Sequence, residues 1–517
     1  MFLPKTRKIC QCPAAFLLLC TAVYNNRTMG ISFFGNAPKP KPIQNVAIIG
    51  SGIAGLTLKH ALEQEGGMED AMNVSIFDSR KGLNYNTGAG IQLNGGMSTL
   101  RRINPTLQRK VADASLPLTQ IKSRAKLSDW KWPWESLIEI FSKEKDKENF
   151  QTLLEIDLKD AVSRSNEETR DQLIVDDELM SYVILRGSLQ EILVDSLHGS
   201  KPKFGKTLIG IEGGNDGIMC KFEDGSIEGP FDLVVGADGI KSAVKEYVET
   251  GEISANKRAS QRSAIYSGIR IQYAVADGDE NDTTEINSEL HQYFGDGTYA
   301  LSGIYGAGRG RPPAKGAFTI FRDEDYFGPF RRKDAPNKKI NENADWVQDA
   351  RSDDEMKSKM LERAKQSGVP LDEVGPIISR ADRFFELGVY FHSPISSFNG
   401  WKREVNNGQY VVLCGDAAHA MPPFLGQGAN QAVQDSYCLA SKIHQFNTEI
   451  KVSTELSFRE YLNSYEKTRW LPTTSITLKA ALLGYLEVGG GFLSTFRDNF
   501  FKVMGAIGVA EKVFLGK

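Results

Sequence analysis

Residues 46–55 read VAIIGSGIAG, followed by LTLKHALEQEGG at 56–67 and VSIFDSR at 74–80. The apolar run Val46, Ala47, Ile48 and Ile49 predicts a short buried strand. Ile53, Leu56, Ala61 and Leu62 then recur at helical spacing, and a second strand follows. Between the first strand and the helix, Gly50, Gly52 and Gly55 form GxGxxG. In that position the first glycine serves a tight turn, the second lets backbone approach a pyrophosphate, and the third lets helix pack on strand. Asp78 ends the second strand 23 residues past Gly55, where a carboxylate accepts hydrogen bonds from a ribose. The stretch predicts a dinucleotide-binding unit.

Two later runs repeat the strand-then-turn pattern. FDLVVGADGIKSAVK at 231–245 is an apolar strand ending in Gly236, Asp238 and Gly239, with a helix expected from about Ser242. YVVLCGDAA at 410–418 ends in Gly415 and Asp416, and after MPPFLGQGAN a helix is expected from about Gly428 through QAVQDSYCLA. Three strands each ending in a Gly/Asp turn are more than a nicotinamide fold needs. Asp416 and His419, three residues apart, also raise the question of an acid-base or metal pair.

With these three motifs in this order, the chain resembles the FAD-dependent monooxygenases of the aromatic-hydroxylase type, which include para-hydroxybenzoate hydroxylase, salicylate hydroxylase and zeaxanthin epoxidase. The resemblance covers roughly residues 44–445 and rests on Gly50–Gly55, Asp238-Gly239 and Gly415-Asp416. It implies that Gly50, Gly52, Ile53, Ala54 and Gly55 cradle the FAD pyrophosphate and that Asp78, with Arg80 beside it, holds the adenosine ribose. Arg186, ahead of a helix with a capping-box pattern at Ser188 and Glu191, is implied as a further FAD contact, and Asp416 as the residue that binds the ribityl chain. Asp238 and Gly239 sit in the motif associated with both FAD and the nicotinamide donor. The loop through Pro423, Gly426, Gly428, Ala429 and Asn430 would run along the isoalloxazine, stiffened by Pro422 and Pro423, with the following helix aiming its positive end at the ring. His419 is then an orienting or packed histidine rather than a catalytic partner of Asp416. Two positions depart from the family pattern: Lys245 stands where an Arg usually closes the second motif, and Gly96 where an Asn is common.

The resemblance implies that NADH or NADPH reduces FAD and that O2 adds to give a flavin C4a-hydroperoxide. This then hydroxylates or epoxidises an aromatic, cyclic or isoprenoid substrate, while the protein supplies placement and electrostatics. Only one Rossmann fingerprint is present, so no separate nicotinamide domain is expected. No catalytic side chain is singled out. Two alternatives stay open: a carotenoid epoxidase like zeaxanthin epoxidase, which QDSYCLA also resembles, and an FAD-dependent reductase or dehydrogenase that does not use O2.

The expected architecture is α/β: a discontinuous Rossmann-like FAD-binding domain at 43–257 and 396–445, an inserted mixed-sheet substrate domain at 258–395, and a helical region at 446–517. In the inserted domain SAIYSGIRIQYAV, ELHQYFGDGTYALSGIYG and GAFTIFRDEDYF alternate as strands. Tyr266, Arg270, His291 and His392 are pocket candidates there, each read as structural first. ADGDENDTTE, RRKDAPNKKINENADW and RSDDEMKSK read as charged, solvated loops. Near the C-terminus Phe492, Phe496, Phe500, Val503, Met504 and Ile507 make an approximate helical stripe, which packs on the body or docks peripherally on a membrane.

The resemblance implies a small-molecule substrate and O2 as partners, and composition excludes others. The net charge is -3, yet residues 1–42 carry six Lys or Arg and no acid, so the rest of the chain is near -9, which argues against nucleic acid. The six histidines are scattered and neither HExxH nor CxxC occurs, so no metal is expected. Residues 1–42 read as a targeting leader and linker with a short apolar core at 14–23. With the family resemblance, this favours a plastid, or the cytoplasm if translation starts at Met29. No motif speaks to the oligomeric state.

Overall fold

The computed structural model describes residues 41–64, 72–85, 88–126, 150–254, 264–278, 289–323, 353–394, 400–406, 408–453 and 456–506. The leader, the 331–346 insertion, most of ADGDENDTTE and Ile507 lie outside these residues.

A six-stranded sheet carries the nucleotide-binding pattern, in the order Lys203–Phe204, Asn73–Asp78, Asn45–Ile49, Leu233–Gly236, Gln409–Leu413 and Lys402–Asn406. All neighbours are parallel except the last pair. Strands of a parallel sheet covered on both faces need apolar side chains throughout, and Val46–Ile48, Leu233–Val235 and Val411–Leu413 are each fully buried. Register then does the positioning. Ile49 pairs with Gly236 and Gly236 with Leu413, so the three Gly/Asp turns leave the sheet side by side at its carboxyl edge. Backbone bonds fasten them together: Gly50 N to Phe77 O, Ala237 N to Ile49 O and Cys414 N to Gly236 O.

The three glycines of the first turn divide as the spacing predicts. A Cβ on Gly55 would run into the Gly50 carbonyl oxygen, and one on Gly50, whose φ is 107°, into the Ala237 carbonyl. A Cβ on Gly52 would meet nothing within 4 Å, so its backbone faces open space. Helix Ile53–Gln64 starts here.

A seven-stranded sheet packs over the carboxyl edge in the order Arg383–His392, Ala264–Ala276, Ala314–Arg322, Thr298–Tyr305, Glu289–Phe294, Gln120–Lys126 and Phe150–Asp157. The strands expected from alternation at 264–322 are all present, and the sheet also takes in two strands from earlier in the chain. The period-2 rule sorts its faces. Ile271, Tyr273 and Val275 point inward, while Ala274 and Ala276 point to the outer side.

That outer side corrects one expectation. Of RSDDEMKSK, read as a solvated loop, the described residues from Asp353 start helix Asp353–Ser367. Its acidic first turn suits the helix dipole, and Met356, Met360 and Ala364 at i, i+4, i+8 bury against Ala274, Ala300 and Ala317. Burying the two methionines contributes about 2 kcal/mol each. The charge density concealed a four-residue apolar period.

The C-terminal region is helical as expected, with Phe458–Glu487 followed by Phe492–Ala506. The first of these is built into the nucleotide-binding half. The Tyr465 hydroxyl donates to Leu413 O at 3.0 Å, and Gly484 lies against the Phe424 ring so closely that a Cβ would overlap it. In the second helix Phe501 stacks on Phe294 with ring centroids 5.0 Å apart.

Gly55→Ala forces backbone against backbone, with no flexible side chain to yield. It should cost about 2–4 kcal/mol of unfolding free energy in urea; an unchanged midpoint would contradict the packing described here.

Candidate functional site

The two sheets enclose a cavity of about 1650 Å³. A pocket for one small ligand measures roughly 300–1,000 Å³, so this space suits two molecules side by side. One wall belongs to the nucleotide-binding half: Arg80, Arg186, Asp416, Pro423, Gly426, Gly428 and Ala429, all expected at a cofactor, line it. The other wall is the inner face of the seven-stranded sheet and is largely apolar and aromatic, with Ile271, Tyr273, Tyr299, Tyr305, Phe318 and Ile320. Among the four pocket candidates named from sequence, Tyr266 lines the cavity; His291, His392 and Arg270 do not. Arg270 is committed to Glu386 at 2.6 Å.

Gly50, Gly55, Ile53 and Ala54 lie behind the wall as its support, with Ile53 and Ala54 buried. Asp78 ends its strand facing the first turn. It accepts Ser51 N at 2.8 Å and Ser51 Oγ at 2.6 Å on one oxygen, and Arg80 N and Nε at 2.9 Å on the other. Burial alone would raise its pKa, but the hydrogen bonds from Arg80 and Ser51 outweigh it and hold the carboxyl down at about 2. Asp238 turns the other way. It accepts Ser242 Oγ at 2.5 Å and Ala243 N at 2.8 Å, so it tethers the start of helix Ala243–Thr250, whose N-cap is Ser242. The acid of the second turn thus shapes the turn while Gly239, at φ 79°, keeps the surface there open.

Arg186 opens helix Arg186–Asp195 directly after a strand. The expected capping box is absent. The N-cap is Leu185 without a side-chain bond, Ser188 Oγ donates to Ala307 O at 2.7 Å, and Glu191 pairs with Arg311 at 2.9 Å. The Arg186 guanidinium makes no side-chain hydrogen bond among the described residues. Enclosure by the protein lowers its pKa, as does Arg80, while Asp416 raises it. Asp416 is accessible from the cavity. The surrounding walls raise its pKa, with His419 and Arg186 acting against that shift.

The histidine question resolves elsewhere. His419 Nε2 lies 2.5 Å from Asp435 Oδ2, and Arg469 Nε donates to Asp435 Oδ1 at 2.6 Å. Gly415 N donates to the same carboxylate at 3.0 Å. Asp435 is fully buried; burial would raise its pKa, but His419 and Arg469 hold it at about 2. Asp435 and Arg469 were not anticipated from sequence. The signal for Asp435 was a carboxylate on the buried face of an apolar helix, between Val433 and Ser436, and Arg469 carried no local signal.

Asn430 clasps the loop to the segment at 90–96. It donates to Gln92 O at 3.0 Å and Asn94 Oδ1 at 2.9 Å, and its own oxygen accepts Gly96 N at 3.0 Å. A Cβ on Gly96 would lie 2.7 Å from that oxygen, which explains the glycine there. Lys245, the other departure, is buried with its ammonium 3.4 Å from Ala418 O and from Glu249. It therefore bonds the second turn's helix to the third turn as a single donor.

A dinucleotide fits this cradle on three observations. Gly52, Gly239 and Gly428 each face space with nothing within 4 Å of a Cβ, the helices starting at Ile53 and Gly428 turn their N-termini to the same edge, and Arg186 offers an uncommitted cation. No cluster of metal-ligating side chains occurs among the described residues.

Asp435→Asn leaves Arg469 and His419 facing a neutral group in a buried site and should cost about 3–5 kcal/mol of stability. The pH dependence has a definite sign. Because the folded pKa is depressed from 3.8 to about 2, the Asp435 contribution is complete above about pH 4 and is lost as pH falls toward 2. Urea midpoints compared over that window should fall less steeply for the variant.

Comparison with known proteins agrees with the geometry. The FAD binding domain family matches residues 394–471, the span holding Asp416, His419, Asp435 and Arg469. The chain is 28% identical over 330 residues to the chloroplastic zeaxanthin epoxidase of Arabidopsis thaliana, a match covering 61% of this chain and 42% of that protein. The match thus spans less than half of the plant enzyme. Salicylate hydroxylase of Pseudomonas putida is 25% identical over 420 residues, covering 79% of this chain and 78% of that one. Among solved structures, Klebsiella pneumoniae HpxO with FAD and uric acid shares the fold at a TM-score of 0.63 and 18% identity, covering 91% of this chain and 96% of that chain. The 2,6-dihydroxypyridine-3-hydroxylase of Arthrobacter nicotinovorans does so at 0.59 and 14%, covering 87% and 95%. With the α/β fold and the three aligned turns, the chain carries an FAD binding domain match and is similar to FAD-dependent monooxygenases and hydroxylases.

Proposed function

We propose that this enzyme takes electrons from NADH or NADPH and inserts one atom of O2 into a largely apolar ring or double bond. The observation that carries this reading is the shared cavity, with a cofactor cradle on one wall and an aromatic sheet on the other. Bound there, FAD would supply the redox and oxygen-activating chemistry. This chain's own residues would bind, orient and exclude water. Gly52 and the amide end of helix Ile53–Gln64 would receive the pyrophosphate, with Arg186 as its counter-charge. Asp78, held ionised by Arg80 and Ser51, would face the adenosine ribose, and Asp416 the ribityl hydroxyls. The N-terminus of helix Gly428–Glu449 would stabilise negative charge developing on the ring.

The opposite wall supports an apolar substrate. Burial raises the pKa of the Tyr273, Tyr299 and Tyr305 phenols, so they stay protonated at neutral pH. Among the described residues, no histidine lines the cavity. A phenolic substrate wants a nearby base and an isolated double bond does not, which keeps isoprenoid epoxidation beside aromatic hydroxylation in the proposal. A plastid location belongs to the same proposal and rests on the chloroplastic relatives.

The protein should purify yellow with noncovalent FAD, and Asp416→Ala should lower the flavin-to-protein ratio sharply. An undiminished ratio would remove Asp416 from the site. Arg186→Ala, losing a charge-assisted contact, should weaken FAD binding by about tenfold or more in a flavin-fluorescence titration. For the substrate, NAD(P)H consumption screened against phenolic acids and xanthophylls, scored by oxygenated product, separates the readings. Oxidation that stays slow until substrate is added supports a monooxygenase. Fast oxidation without oxygenated product from any of them would favour a reductase.

A further inference from the structure

The last two helices leave apolar side chains in solvent where a packed surface would bury them. On Phe458–Glu487 the exposed ones are Leu471, Leu478, Leu482 and Tyr485, with Leu471 65% and Leu482 61% accessible. Their spacings of seven, four and three residues put all four on one stripe. On Phe492–Ala506, Phe492, Phe496 and Val503 repeat the pattern, and Phe492 is 70% accessible. Phe500 and Met504, expected on that stripe, instead turn partly into the body, where Met504 packs on the sheet core. So the exposed surface is made by two helices joined through Val488–Gly491, not by the terminal one alone.

Charge indicates what covers it. Between Leu471 and Ala506 the acids are Glu487, fully buried, and Asp498, paired with Arg497 at 2.8 Å. Lys479 and Lys502 remain at the surface, half-buried; Lys502 lies close enough to Asp498 to act on that carboxyl, which is itself paired with Arg497. An apolar stripe edged by lysines, with Tyr485 and Trp470 beside it, matches the headgroup boundary of an anionic bilayer. No helix among the described residues is long and apolar enough to cross a membrane, so any contact would be with its surface. The opposite face of the same long helix buries Ile476, Ala480 and Leu483, and its Gly484 rests on Phe424, which lines the cavity.

We propose that the outer faces of helices Phe458–Glu487 and Phe492–Ala506 dock the protein on an anionic lipid surface. The docking helix lies one side chain away from the cavity, so a substrate dissolved in lipid would have a short route inward. Docking itself does not depend on the activity proposed above and is measured without it.

The test is co-sedimentation of the flavin-loaded full chain with phosphatidylcholine vesicles, with and without phosphatidylglycerol. Binding is expected to the phosphatidylglycerol vesicles and to weaken with added salt. Leu482→Ser combined with Phe492→Ser and Phe496→Ser should lower partitioning by about tenfold or more, with flavin absorbance and melting temperature unchanged. Lys479→Glu with Lys502→Glu should selectively weaken binding to the anionic vesicles. Absence of binding to either vesicle, or binding that the serine variant leaves intact, would overturn the proposal. A wild-type dimer in solution that the serine variant makes monomeric would assign the face to a second copy and overturn it as well.

Discussion

One buried carboxylate holds the nucleotide-binding edge in shape. Asp435 receives Gly415 N from the third turn, His419 from the short helix after it, and Arg469 from the long C-terminal helix. Isolating a charge in a protein interior costs several kcal/mol, and good geometry with full hydrogen bonding is what offsets it. Here both oxygens are engaged, and Arg469 is further bound to Gln431 Oε1 at 2.5 Å and Gln434 Oε1 at 3.1 Å. The consequence is directional. Helix Gly428–Glu449 cannot rotate or slide without breaking this set, so its N-terminus stays aimed at the cavity.

The same constraint explains why the helical tail belongs to the site. Arg469 and Tyr465 lie on helix Phe458–Glu487, yet they fasten the third turn and the strand before it. Further along, Gly484 admits the Phe424 ring and so sets the height of the loop that floors the cavity. A helix with no motif of its own therefore fixes the loop that carries the motif.

The two departures from the family pattern make physical sense in this frame. At Gly96 the room for a side chain is taken by the Asn430 carboxamide, which reaches in from the neighbouring helix and binds the Gly96 amide. At Lys245 the ammonium spans from the second turn's helix to Ala418 O, with Glu249 nearby. Next to it His392 binds Ile240 O at 3.0 Å, and burial, reinforced by Lys245, pushes its pKa down to about 3. A neutral imidazole beside a buried lysine avoids a second buried positive charge.

Much of the nucleotide-binding half was legible in the sequence because its determinants are local. Strand, glycine turn and helix follow from residues a few positions apart, and period-2 alternation announced the sheet opposite. What is not local could not be read. Helix Asp353–Ser367 looked like a charged loop because its methionines matter only against Ala274 and Ala317 on a distant sheet. Asp238 was read only as part of the second motif, and the sequence did not show that its carboxylate also holds the start of the helix that follows. Asp435 and Arg469, thirty-four residues apart, share no spacing rule, and only the packing of two helices brings them to 2.6 Å. The sequence by itself determined which turns could face a dinucleotide, since that depends on backbone freedom at particular glycines. The tertiary structure alone decided which charges face the cavity and which brace it, because a carboxylate's role is set by the donors that reach it.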